Sequence, residues 1–236
     1  MIRTIIWYAY FWIYAVYSII LLAKLNRLLK QNKISEAENF SFEVTKKWSR
    51  RLIKLSGSTI EVKGLENIPD TNVLFVSNHQ GDFDIPILLG YLNKPVGFIA
   101  KVELKKVPII SIWMEKINCV FIDRKSSRKS LEAILQAAKY LRKGKNLVIF
   151  PEGTRSGSEK LGEFKPGSLK LALKANVPII PVTINGSYKI KNPKGLKIQP
   201  AHVTITISSP VFIDKLSKKD QATLTDKIRE IISRNI

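Results

Sequence analysis

Residues 73–92 read VLFVSNHQGDFDIPILLGYL. Val73–Ser77 is an apolar run of strand length. Asn78–Asp84 is polar and contains Gly81, and Ile85–Leu92 is apolar again, with Pro86 in a first-turn position. Strand, polar loop and helix in immediate succession form the repeating half-unit of an α/β sheet, with the loop at the carboxyl end of the strand. The same alternation continues on both sides of the segment. Further strands are expected at Thr59–Val62, Val96–Ala100, Cys119–Ile122, Leu147–Phe150, Ile179–Ile184 and Val203–Ile207, and further helices at Pro108–Lys116, Ser127–Lys143 and roughly 222–234. Gly144 stands where a glycine just past a helix belongs. The pattern predicts an α/β domain over residues 57–236 with a mixed, largely parallel central sheet flanked by helices. Ser56-Gly57-Ser58 marks its boundary with what precedes.

The preceding part is of another kind. From Thr4 to Ala23 the chain carries no charge, in the run TIIWYAYFWIYAVYSIILLA. As a helix rising about 1.5 Å per residue, this run is just long enough for a bilayer core. It is too long for the apolar region of a cleaved signal peptide, and no A-x-A site follows it. Ser35-Glu36-Ala37-Glu38 has the form of a capping box, so a second helix is expected to start there. Phe40, Val44, Trp48, Leu52 and Leu55 then recur at helical spacing, flanked by Lys46, Lys47, Arg50, Arg51 and Lys54. An uncharged helix beside a basic amphipathic one is a membrane-surface signature, so residues 1–56 are expected to be a two-helix membrane-associating segment. The aromatics Trp7, Tyr8, Tyr10, Phe11, Trp12, Tyr14 and Tyr17 span about 15 Å of helix. A spanning helix would concentrate such rings at its ends, so the expectation is a helix lying in one leaflet, on the cytoplasmic face of the cell membrane.

Composition narrows the class of partner. The 236 residues are 45% hydrophobic and 25% charged, which excludes collagen-like and disordered classes. With 39 basic and 19 acidic residues the formal charge is +20, which points to a polyanion, an anionic membrane or an anionic substrate. A lone cysteine, Cys119, excludes an internal disulfide framework, and two histidines cannot supply a His-rich metal site. The chain reads as intracellular, and neither a metal nor a cofactor is expected.

The loop Asn78–Asp84 holds the first candidate chemistry. His79 five residues before Asp84, across a Gly-containing turn, can fold back into an imidazole–carboxylate pair, freeing one ring nitrogen as a base. Asp84 can equally cap the helix that follows, and Asp82 is a second carboxylate within reach. A second loop, Phe150-Pro151-Glu152-Gly153-Thr154-Arg155-Ser156, also follows a strand, and Arg155 can present its planar fork to a phosphate. Lys101 and Arg124 stand at two further strand ends. His202, in the alternating run 202–207, reads as a solvent-facing strand residue. The chain lacks G-x-x-x-x-G-K-[ST], G-x-G-x-x-G and G-x-S-x-G, the signatures of P-loop, dinucleotide-binding and α/β-hydrolase sites.

Together these residues resemble the glycerolipid acyltransferase family, most closely its bacterial 1-acylglycerol-3-phosphate acyltransferases. The H-x4-D motif matches His79–Asp84, and the second block, around a K-x-E-L segment and ending in F-I-D-R, looks like Gly97–Leu104 and Val120–Arg124. F-P-E-G-T-R-S matches Phe150–Ser156, and V-P-I-I-P-V matches Val177–Val182. Members often carry Ser where Gly81 stands. The resemblance implies acyl transfer from an acyl carrier protein or coenzyme A thioester to the 2-hydroxyl of lysophosphatidic acid, without a covalent acyl-enzyme. It implies His79 as base oriented by Asp84, and Arg155 with Lys101 on the substrate phosphate, Arg124 assisting. Glu152 would fix the loop and Arg155, while Gly153 and Thr154 would admit the glycerol phosphate. Another lysophospholipid as acceptor fits the same motifs. A nucleic-acid-binding protein fits the charge, but no nucleic-acid module is present and the aromatics gather in an uncharged helix. A non-catalytic membrane scaffold on the same fold is disfavoured by the intact His79 and Asp84.

Overall fold

The computed structural model describes residues 1–236 apart from Pro166, Pro193 and Lys194. Helices α1 (Ile2–Lys30) and α2 (Ile34–Ser56) come first. They are followed by β1 (Thr59–Lys63), β2 (Leu74–Ser77), α3 (Asp84–Tyr91), β3 (Gly97–Lys101), α4 (Ile110–Lys116), β4 (Val120–Ile122) and α5 (Ser127–Arg142). The chain continues through β5 (Leu147–Ile149), α6 (Lys170–Ala175), β6 (Ile179–Asn185), β7 (His202–Ile207), α7 (Lys218–Ala222) and α8 (Leu224–Ser233). One seven-stranded sheet results, in the order β1-β7-β6-β2-β5-β3-β4. Only the β6–β7 pairing is antiparallel. The sheet is therefore mixed and largely parallel, as the strand–helix alternation predicts.

The central strand shows why. β2 is buried along its length between β5 and β6, and its side chains alternate between two cores. Val73 and Phe75 face a cluster with Trp7, Leu52, Ile53, Phe83 and Ile87, on the side of α1, α2 and α3. Leu74 and Val76 face Ala137, Leu141, Leu171 and Ile228, on the side of α5, α6 and α8. A strand apolar on both faces reads as an unbroken run, which is what VLFVS is. Each expected strand and helix after residue 57 is present. The last expected helix is α8, while the short helices α6 and α7 went unread because five or six residues carry too little periodicity.

The N-terminal hairpin differs from expectation in two details. No capping box forms: α2 begins at Ile34 after Lys33, and Ser35 already lies inside the first turn. The tight connection explains this, since Lys33 N–H donates to Leu28 C=O and Asn32 is left-handed, at φ 56°, so the chain re-enters a helix at once. The more deeply buried face of α2 is also not purely aromatic. Ala37, Ser41, Thr45, Ser49, Leu52, Ile53 and Ser56 are its buried residues, whereas Phe40, Val44 and Trp48 are half-buried and meet α1. The Ser41, Thr45 and Ser56 hydroxyls donate to carbonyls of their own helix, so small polar side chains can be buried against α3 at little cost.

Trp7 is one of the buried residues that join α1 to the core, with Ala15, Ser18, Leu22 and Leu25. Its indole N–H donates to Leu52 C=O at 3.0 Å, and its ring packs on Phe11 and Phe83 at 5.5 and 5.3 Å between centroids. Replacing Trp7 with Ala is expected to cost about 3–5 kcal/mol, and with Phe much less. Denaturant unfolding of the detergent-solubilised protein measures both; equal effects of the two substitutions would show that ring packing is not what holds α1.

Candidate active site

β2 ends at Ser77 in the middle of the sheet, and the chain beyond it is pinned from several directions. Asn78, buried, donates its amide to Ile184 C=O and accepts from Ile184 N–H, both at 2.8 Å, so a side chain extends the β2–β6 pairing by one step. Gln80 Oε1 accepts from Gly186 N–H at 2.9 Å. Gly81 faces the backbone of Tyr188; a Cβ there would sit 3.4 Å from Tyr188 Cα, an ordinary van der Waals contact.

These restraints hold His79 and Asp84 together. His79 Nδ1 lies 2.6 Å from Asp84 Oδ2. Asp84 is fully buried, and Oδ2 also accepts from Gln80 N–H at 2.7 Å and Gly81 N–H at 2.9 Å. Oδ1 accepts from the Ser187 hydroxyl. The carboxylate at the start of α3 thus turns back onto the loop, and of the two available carboxylates it is Asp84 that pairs with the imidazole. The His79 ring stacks on Phe150, 4.1 Å between centroids and 19° between planes. With Nδ1–H donating to Asp84, the Nε2 lone pair is at the open edge of the ring.

The second loop is tied to the first by backbone. Ser156 N–H donates to His79 C=O at 2.8 Å, and Gly157 N–H to Gln80 C=O at 3.1 Å. Glu152, buried, accepts from His79 N–H on Oε1 at 2.7 Å and from Gly162 N–H on Oε2 at 3.0 Å. Burial pushes its carboxyl above the usual carboxylate range, and the two backbone donors pull it partly back. Glu152 therefore bridges the two loops and does not meet Arg155, whose partner is Asp82. Gly153 is left-handed, at φ 72°, in a turn closed by its N–H to Phe150 C=O. That turn is a sufficient reason for glycine there.

The other basic residues are dispersed. Arg124 donates from Nη1 to Gly153 C=O, a contact with the second loop that the sequence did not suggest. Lys101 ends β3, exposed, 3.7 Å from Glu103. Thr154 is exposed. His202, also exposed, contacts Thr59 and Glu61 on the far edge of the sheet. Cys119 is buried, its sulfur accepts from Phe98 N–H at 3.3 Å, and burial pushes its thiol up to about 12. Among the described residues no group of three or more His, Cys, Asp or Glu side chains is placed to hold a metal ion. Ser187, Asn78 and Gln80 were not singled out as site residues in the sequence. Ser187 lies 103 positions from the aspartate it serves, and no spacing rule connects them.

Known proteins resemble this chain in sequence and in fold. Residues 59–185 match the family model described as "Acyltransferase". The chain is 34% identical over 188 residues to the 1-acyl-sn-glycerol-3-phosphate acyltransferase of Borreliella burgdorferi, covering 77% of this chain and 73% of that one. It is 36% identical over 160 residues to a chloroplastic protein of the same description from Arabidopsis thaliana, covering 66% and 44%. The crystal structure of the 1-acyl-sn-glycerophosphate acyltransferase from Thermotoga maritima superposes with a TM-score of 0.87 at 30% identity, covering 99% of this chain and 93% of that one.

Two substitutions test the scaffolding. Ser187→Ala leaves Oδ1 of a buried carboxylate without its donor, and is expected to cost about 1–3 kcal/mol in denaturant unfolding. Unchanged unfolding would mean the hydroxyl contributes nothing there. Glu152→Gln is expected to show its effect through pH. Because the Glu152 carboxyl is raised on folding, its contribution is complete below the ordinary carboxylate value and is lost as pH rises through the elevated one. The stability of the unsubstituted protein relative to Glu152→Gln should therefore fall with rising pH in that window; a flat difference would contradict it.

Proposed function

Because the chain belongs to the acyltransferase family, we propose that it acylates the 2-hydroxyl of 1-acylglycerol 3-phosphate, forming phosphatidic acid for phospholipid synthesis. The donor is the thioester of an acyl carrier protein or of coenzyme A. The observation that carries this reading is the His79–Asp84 pair, with Nε2 open and Arg155 on the loop bonded to His79.

In the proposed step, Nε2 of His79 takes the proton of the 2-hydroxyl as its oxygen attacks the thioester carbonyl. The tetrahedral intermediate collapses, the carbon–sulfur bond breaks, and the imidazolium returns its proton to the departing thiolate. Asp84 keeps Nδ1 protonated and stabilises the transient imidazolium. Arg155 binds the acceptor phosphate, with Lys101 reaching it from the end of β3. Arg124, Glu152 and the Gly153 turn shape the loop, and Thr154 lies beside the glycerol. Positioning and charge stabilisation supply the remaining rate.

The acceptor is a lipid, and α1 offers a surface for one. Among the described residues it is the one helix long and apolar enough to cross a membrane. Trp7, Ala15, Ser18, Leu22 and Leu25 turn inward, while Ile5, Ile6, Trp12, Ile13, Val16, Tyr17, Ile19 and Ile20 are exposed. In this reading residues 1–56 form a membrane-associating segment and 57–236 the catalytic domain. The exposed face lies in the cytoplasmic leaflet, and Lys24, Arg27 and Lys30 meet anionic phosphates.

His79→Ala is expected to lower kcat on 1-acylglycerol 3-phosphate about 10²–10⁴-fold, and to cost about 1–3 kcal/mol in unfolding because Asp84 loses one of its donors. Asp84→Asn should also be severe. Near-normal turnover of the His79 variant would remove the base from the mechanism, and preference for another lysophospholipid in a panel assay would change the acceptor. For the helix, single cysteines at Met1 or Arg3 in a Cys119→Ser background can be labelled with an impermeant reagent in sealed vesicles. Labelling only from the side opposite the catalytic domain would show a spanning helix.

A further inference from the structure

Asp82 was the second carboxylate of the His79 loop, and the imidazole does not use it. It lies between two cations. Its Oδ1 pairs with Arg155 Nη1, and its Oδ2 accepts from Lys191 Nζ at 2.7 Å. Arg155 and Asp82 are well exposed, whereas the Lys191 side chain is only 13% exposed. A cation that deeply covered has lost most of its hydration, and the Asp82 carboxylate replaces part of it. Lys191 also belongs to the site by its position in the chain. It follows the single 3₁₀ turn Ser187–Lys189, whose first residue donates to Asp84 and whose Tyr188 backbone lies against Gly81. The segment carrying Lys191 is thus fixed to the loop carrying His79 by contacts unrelated to the ion pair.

We propose that Lys191 and Arg155 together form the cation pair that receives the acceptor phosphate, and that Asp82 occupies that place until the acceptor arrives. This rests on the acyltransferase reading above. A carboxylate offers its two oxygens to two cations much as a phosphate offers two of its own, so the substrate can displace Asp82 without leaving either cation unpaired. The exchange has two consequences. Lys191, mostly covered, never has to be held as an uncompensated charge. The acceptor competes with an internal anion, so its apparent affinity is reduced by the fraction of molecules in which Asp82 holds the pair. A phosphomonoester, carrying more charge than a carboxylate, is the ligand best able to win that competition.

The sign of two substitutions separates this from a plain structural bridge. Lys191→Gln is expected to raise KM for 1-acylglycerol 3-phosphate about tenfold with kcat changed less than about twofold, and Lys191→Arg to restore most of the loss. Asp82→Asn removes the competing charge and is expected to lower KM about threefold. If Asp82 and Lys191 merely braced the loop, breaking the bridge from either end would move KM in the same direction. Same-direction changes, or an unaltered KM in Lys191→Gln, would overturn the proposal while leaving the acyltransferase reading standing. Absence of acyl transfer by the unsubstituted protein would instead overturn that reading, and this proposal with it.

Discussion

A fully buried carboxylate that must stay bonded on all sides organises this molecule. Asp84 is shut off from water, so its charge is tolerated only where protein donors replace hydration. Four do so: His79 Nδ1, the Gln80 and Gly81 backbone N–H groups, and the Ser187 hydroxyl. Three come from the loop after β2 and one from the turn after β6. Meeting this requirement forces neighbouring strand ends to converge, and the imidazole is oriented as one of the donors. The orientation of His79 is thus a by-product of solvating Asp84.

The loops obey the same logic one layer out. Polar backbone at the end of a central strand has no sheet partner left, and burial forbids water from serving every group. Asn78 supplies a peptide-like partner to Ile184, and Glu152 takes the N–H groups of His79 and Gly162 at once. A carboxylate suits the latter task because both of its oxygens accept, so one side chain can join two loops. Gly162 lies so close that a Cβ there would fall 2.5 Å from Glu152 Oε2. The glycine and the glutamate therefore depend on each other, although ten residues separate them.

How much of this the sequence reveals depends on whether the determining contact is local. Inner strands such as β2 and β5 were legible because a strand buried on both faces is an unbroken apolar run between turn residues, and β7 because its residues alternate. His79 with Asp84 was legible as a possibility from spacing, and as a pairing only through family resemblance, because Asp82 was an equally near carboxylate. What settles the choice is Ser187 and the packing against Tyr188, contacts made by tertiary structure alone. The apolar stripe of α2 that the sequence marks does meet α1, but its second, more deeply buried face was not singled out, because Ser41 and Thr45 are polar by composition and are buried only by bonding to carbonyls of their own helix. The capping box at Ser35 failed because a sharp connection starts α2 before its cap.

The placement of α1 connects the fold to the proposed chemistry. Trp7 packs on Phe83, and Phe83 directly precedes Asp84 in the chain. The helix with the exposed apolar face is thereby in van der Waals contact with the active loop, with no flexible linker between. Close-packed interiors transmit displacement because their side chains cannot yield independently. In the one-leaflet reading proposed above, this contact sets the height and tilt of His79 relative to the lipid surface. A site mounted on a linker would sample many orientations and present its base to a lipid hydroxyl in few of them. A site braced against the helix by an aromatic stack meets every acceptor in nearly the same geometry. That constancy is what general-base catalysis at an interface requires.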